Sequence, residues 1–179
     1  MILSNTPKGT RAFEWYDSLV FALTVIVLVF VFLCRIIVVS GISMEPTLES
    51  GDRVVVQGIL YEPQRGDVVV VDSYIEYGDP LVKRIIALGG DTVDIDFETG
   101  EVYVNGEVLY EPYISAPTQQ SFDIEFPLTV PEGQVFLMGD NRPHSTDSRS
   151  SQVGLIDERS ILGKVLFRIA PINRLGKVT

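Results

Sequence analysis

Apolar positions along the chain fall into two regimes. From Leu19 to Cys34 every residue except Thr24 is apolar, and Ile36–Val39 extends the run after a single Arg35. As a helix, residues 19–39 span roughly 30 Å at ~1.5 Å per residue, enough to cross a bilayer core. Phe13, Trp15 and Tyr16 stand just before it, where an interfacial aromatic belt sits. From Ser40 onward the pattern changes to period two and short β-branched runs. Residues 53–56 and 67–71 read as buried strands joined by a turn over 62–66. Residues 83–88 form another strand, ended by Gly89-Gly90-Asp91. Residues 92–96 and 101–104 bracket a turn at Glu98-Thr99-Gly100. Asn105-Gly106 is the strongest hairpin signal, since both residue types tolerate positive φ. Residues 112–131 read as an extended loop, and 135–138 and 164–169 as the closing strands.

This pattern predicts a mainly β, antiparallel domain tethered by one N-terminal transmembrane helix. Its divisions are a cytoplasmic leader over 1–18, an anchor over 19–39 and an extracytoplasmic β-rich domain over 40–179. A buried core helix is a poor alternative, because so small a domain cannot surround that many apolar residues. A cleavable secretory leader is the stronger rival, since Val39-Ser40-Gly41 has small residues. The run is longer than a secretory core, however. Lys8 and Arg11 before the span favour an inside N-terminus, with Arg35 at the far end.

Charge narrows the partners. The formal net charge is −10, and no Lys or Arg lies between Ile85 and Asn141. Such a surface offers no basic patch to nucleic acid. Asp91, Asp94 and Asp96 match no metal-loop spacing and read as a solvated strand face. Cys34 is the only cysteine, so no internal disulfide exists, and the single His144 excludes a multi-histidine metal site. No metal or cofactor is expected.

Hydroxyl chemistry remains. Ser43 follows the apolar run within Ser40-Gly41-Ile42-Ser43-Met44-Glu45-Pro46-Thr47. Gly41 allows close backbone approach and Pro46 fixes the path, though either is common in loops. A serine nucleophile needs a base: His144, or a lysine made neutral by burial. Lys83 is the best-placed lysine, on the apolar strand Leu81–Ile86 whose alternation sends Lys83 and Arg84 to opposite faces. Gly139–Arg149 is a polar loop with paired opposite charges.

Taken in order, Ser-Met-x-Pro-Thr-Leu after an apolar helix, Gly-Asp-Val-Val-Val, Lys-Arg-Ile-Ile-Ala-Leu-x-Gly-Asp and Gly-Asp-Asn-Arg-x-x-Ser-x-Asp-Ser-Arg resemble the motif set of bacterial type I signal peptidases. The resemblance covers roughly residues 19–171. It implies a membrane-bound serine endopeptidase that removes signal peptides from secretory preproteins by cutting after small-x-small sites. Ser43 would be the nucleophile, with its backbone N–H in the oxyanion hole, and Lys83 the general base. Ser145 would hydrogen-bond and orient Lys83. Asp140 with Arg84, and Asp147 with Arg149, would brace the site as ion pairs. Met44 would line the substrate cleft, and His144 falls at a variable position.

Two departures from the family pattern matter. Gly41 stands where some members carry a serine that helps bind the oxyanion, and the stretch 91–137 is too short for the large inserted β domain of longer members. Three rival classes share parts of this pattern. Self-cleaving repressor proteases use Ser/Lys but are soluble and bind DNA. A specialised maturation protease of a conjugation or pilus system would share the motifs. A non-enzymatic anchored subunit would have no need of Ser43, Lys83 and Ser145 together.

Overall fold

The structure, a computed structural model, describes residues 8–73 and 77–179, the side chains at 8–14 and 28–34 excepted. Helix α1 runs Lys8–Leu33. Strands follow as β1 (Cys34–Val38), β2 (Arg53–Gln57), β3 (Val68–Val71), β4 (Leu81–Leu88), β5 (Thr92–Asp96) and β6 (Glu101–Val104). They continue as β7 (Glu107–Val108), β8 (Leu128–Thr129), β9 (Gln134–Met138), β10 (Ile156–Asp157), β11 (Ile161–Ala170) and β12 (Gly176–Lys177). The domain is mainly β and its recorded pairings are antiparallel, as the alternation predicted.

The expected anchor changes in two respects. The helix ends at Leu33, and Cys34–Val38 is instead a strand, with Ile36 opposite Val55 and Val38 opposite Arg53. Periodicity cannot separate a helix from a strand in a continuous apolar run, and Ile36, Ile37 and Val38 are β-branched. Among the described residues no helix is long and apolar enough to cross a membrane. The side chains of part of the expected span, at 28–34, and the start of the expected leader, at 1–7, lie outside what is described.

Two sheets share the β-rich part. The larger runs β1-β2-β11-β3-β4-β9-β10, with β12 paired to β11, and the smaller runs β7-β6-β5-β8. Asn105 (φ 56°) and Gly106 (φ 81°) form the predicted tight turn between β6 and β7. Asp94 and Asp96 lie on β5, and Asp91 and Asp96 at its two ends also hold the adjoining turns. Asp91 accepts from Leu88 N–H and Asn105, and Asp96 from Glu98 N–H. The stretch expected to be loop contributes the short β8, which extends the second sheet through Thr92–Thr129.

One core lies between β2, β3, β11 and the turn after β1, built from Met44, Leu48, Val54, Val56, Val68, Val70 and Val165. A second joins the two sheets through Ile86, Val93, Val102 and Phe136. Strand β4 lies between these regions and carries two buried cations in sequence, Lys83 and Arg84. Buried charges must be paired or neutralised. The way β4 solves this for each cation defines the site.

Candidate active site

The excursion from β1 to β2 closes at its base, where Val39 N–H donates to Asp52 O (2.8 Å) and Gly51 N–H to Val39 O (2.9 Å). Gly41 enters it at φ +88°, with open space where a Cβ would stand. Its role is thus the left-handed backbone, not close approach. Leu48 N–H donates to Met44 O (2.9 Å), forming one helical turn whose Met44 and Leu48 sink into the core. Ser43, between exposed Ile42 and buried Met44, is left facing a cleft of about 560 Å³. Tyr77, Pro80, Leu81, Lys83 and His144 form its other walls.

Lys83 Nζ donates to Ser43 Oγ at 2.6 Å. Burial is the main influence on the amine and pulls its pKa from an ordinary lysine's 10.5 to about 8. Asp147 and Asp140 push it up and Arg149 pushes it down, all less strongly than burial acts. A lysine that gives up its proton near pH 8, within hydrogen-bond reach of a hydroxyl, is suited to accept that hydroxyl's proton.

On the opposite face of β4, Arg84 grips Asp140 with two bonds, Nε to Oδ1 (2.8 Å) and a terminal nitrogen to Oδ2 (2.7 Å). Its guanidinium also donates to Gly66 O (2.7 Å) and lies 3.9 Å from the centre of the Tyr113 ring. Thr47 Oγ1 donates to Asp140 as well, tying the Ser43 turn to this pair. Asp147 and Arg149 form a second two-bond pair, at 2.8 and 2.9 Å, with both side chains fully buried. Both expected ion pairs are present.

Between the two pairs, the Gly139–Asn141 segment touches the Ser43 backbone directly. Asn141 N–H donates to Ser43 O (3.0 Å) and its side-chain amide to Ile42 O (3.0 Å). A Cβ at Gly139 would lie under 3.0 Å from both Ser43 O and the Ser145 side chain, so only glycine fits. With its carbonyl engaged, Ser43 keeps its N–H free: it donates to no acceptor among the described residues.

Two expected placements are corrected. Ser145 Oγ donates to Asp147 Oδ2 (2.7 Å), and among the described residues Lys83 Nζ donates to Ser43 Oγ rather than to Ser145. Met44 does not line the cleft. Its apolar side chain is drawn into the core, 2% exposed, and half-exposed Ile42 takes the wall position. His144 is exposed at the cleft edge.

Sequence reasoning missed a third buried pair beside the site. Arg142 is fully buried, donates through Nε to Gly139 O (3.1 Å) and binds both oxygens of Glu111, with Thr118 Oγ1 alongside. Its signal was present as the arginine of Gly-Asp-Asn-Arg, but Glu111 lies in a stretch with no periodic pattern.

The family described as "Signal peptidase, peptidase S26" matches residues 12–170. The chain belongs to this family and is a serine endopeptidase of the signal peptidase class. It is 38% identical to signal peptidase I of Bacillus licheniformis, over 97% of this chain and 96% of that protein. Signal peptidase I S of Bacillus subtilis strain 168 is 37% identical, over 97% of each. A solved signal peptidase I from Enterococcus faecalis V583 aligns with 58% of this chain and 97% of its own, at a TM-score of 0.45 and 31% identity.

Proposed function

We propose that this chain is a membrane-bound endopeptidase that removes N-terminal signal peptides from exported preproteins, with Ser43 as nucleophile and Lys83 as general base. The observation that carries the assignment is the 2.6 Å contact between Lys83 Nζ and Ser43 Oγ, made by an amine whose proton is weakened by burial. Neutral Lys83 takes the Ser43 proton as Oγ attacks the scissile carbonyl carbon. The oxyanion develops against the Ser43 N–H, and the ammonium then protonates the leaving amine as the C–N bond breaks. Water, deprotonated by Lys83, hydrolyses the resulting ester and frees the signal peptide's new carboxyl end. Ser145, Asp147 and Arg149 brace the Lys83 side of the cleft, while Asp140 and Arg84 brace the Ser43 turn through Thr47.

Strand addition explains how the substrate sits. Leu81–Lys83 of β4 pair with β3, while β9 joins β4 only from Arg84 onward, so a strand edge is open beside Ser43. An extended segment laid along that edge meets Ile42, Tyr77 and Leu81, shallow walls that suit small side chains near the cut. A lipid partner is supported by the apolar run Leu19–Cys34 and by a cross-strand row in which Ile36, Val55 and Phe167 are neighbours. Ile36 and Phe167 are 63% and 50% exposed, and Val38 and Ile169 extend the same apolar surface. The anchor would place the N-terminus in the cytoplasm and residues 40–179 on the outer face.

Purified enzyme in detergent should cleave a preprotein, and Ser43→Ala and Lys83→Ala should each abolish the cut. Retained activity in either variant would sink the dyad.

A further inference from the structure

After β11 the chain reverses through Pro171 and a short 3-10 turn at Ile172–Arg174, then returns along β11 as β12. This terminal segment touches the Ser43 turn at several independent points. Arg174 binds Glu49, and its second nitrogen lies 3.5 Å from Asp52. Its carbonyl accepts from Arg168 Nε (2.5 Å), and Arg168 in turn donates to Thr47 O (2.9 Å) and reaches Asp52 (3.2 Å). Asp52 also accepts from Glu49 N–H (2.9 Å), which closes the loop on itself. Two residues beyond β12's start, Val178 is buried in the same core cluster as Met44 and Leu48. The backbone carbonyl of Thr179 accepts from Arg84 (3.3 Å).

The nucleophile turn is therefore held from two sides. Asn141 fixes Ile42 and Ser43 from within, while from outside the segment after β11 holds Glu49 and Asp52 through Arg174 and orients Arg168 of β11, which holds Thr47. Without the outer support, Met44 and Leu48 would still anchor the turn, but residues 49–52 would lose Arg174, and Arg168, which bonds Thr47, would lose the Arg174 carbonyl that orients it. An attacking oxygen displaced by about 1 Å is enough to cost on the order of a hundredfold in rate.

We propose that the segment Pro171–Thr179 is a clasp that positions Ser43, with Arg174 as its principal positioning residue. This rests on Ser43 being the nucleophile. The test uses full-length Arg174→Ala and Arg174→Lys beside Ser43→Ala, assayed on a preprotein well below the melting temperature. The folded fraction of each is measured by circular dichroism. Arg174→Ala should lower kcat per folded molecule by tenfold or more, with KM within about twofold and the pH midpoint near 8 unmoved, because the Lys83 environment is intact. Arg174→Lys, which keeps one charge for Glu49 and Asp52, should recover most of the loss. Val178→Ala should act in the same direction as Arg174→Ala. A lowered melting temperature with unchanged kcat would overturn the clasp and leave an ordinary stabilising contact. A raised KM with unchanged kcat would also overturn it, since the segment would then serve substrate binding. If Ser43→Ala kept activity, the nucleophile assignment would fall instead; an inactive Ser43→Ala beside a fully active Arg174→Ala overturns the clasp alone.

Discussion

Replacing Lys83 with methionine should abolish cleavage and yet make the protein more stable at neutral pH. The reasoning starts from burial: Lys83 is 3% exposed, and its pKa falls from 10.5 to about 8. The unfolded chain holds this proton up to pH 10.5, but the folded protein releases it near 8. Between these values the unfolded state binds more protons, so stability rises with pH across that window. Below pH 8 the folded protein carries the full burden of a buried ammonium. At about 1.4 kcal/mol per pH unit, that burden is about 3 kcal/mol. Methionine fills nearly the same volume without a charge, and the lost hydrogen bond to Ser43 Oγ is worth about 1 kcal/mol or less where the cleft can supply water. The net expectation is a gain of about 2–3 kcal/mol for Lys83→Met at pH 7, shrinking steadily as pH approaches 10. Urea unfolding at a series of pH values measures it directly. A gap independent of pH, or a variant less stable at pH 7, would refute the claim that burial sets the amine's proton affinity.

Other outcomes follow from neighbouring contacts. Wild-type kcat/KM should rise through a midpoint near pH 8 as Lys83 loses its proton, and a flat profile from pH 6 to 9 would point to another base. Glu111→Ala should cost about 3–5 kcal/mol by leaving the buried Arg142 guanidinium uncompensated, read as a lower urea midpoint; an unchanged midpoint would mean the pair is idle. Gly139→Ala should cost about 1–3 kcal/mol and most of the activity, because the added methyl collides with Ser43 O and Ser145. Gly41→Ala meets no atom, so its loss should be confined to about 1–2 kcal/mol of backbone strain in the same unfolding assay.

What the sequence disclosed depended on range. The β5–β6–β7 meander was legible because its signals are local: alternation, a turn at Glu98–Gly100 and the Asn105-Gly106 pair. Ser43 and Lys83, forty residues apart, were legible only through their motifs, since nothing in either segment alone fixes which lysine meets which serine. The two ion pairs were named by the same motifs. Glu111–Arg142 was not, because thirty-one residues and an aperiodic loop separate its members. Ser145 and Met44 show a subtler limit. Ser145 was expected against Lys83 and Met44 against the cleft, and in each the position in three dimensions, not the residue type, decides the partner. Ser145 gives its proton to Asp147, and the core takes Met44 from the cleft.

Strand β1 begins at the residue after the helix ends, with no intervening linker. Its five residues, at ~3.3 Å each, carry the chain about 17 Å before the turn that bears Ser43. The pleated strand thus sets a fixed spacing between the helix terminus and Ser43. Each step in that spacing is two residues, about 7 Å, because only an even step keeps Ile37 facing inward and Ile36 facing outward. Under the proposed reading, with α1 in lipid and Ser43 as nucleophile, a change in the length of β1 would therefore move the cut by about 7 Å at a time.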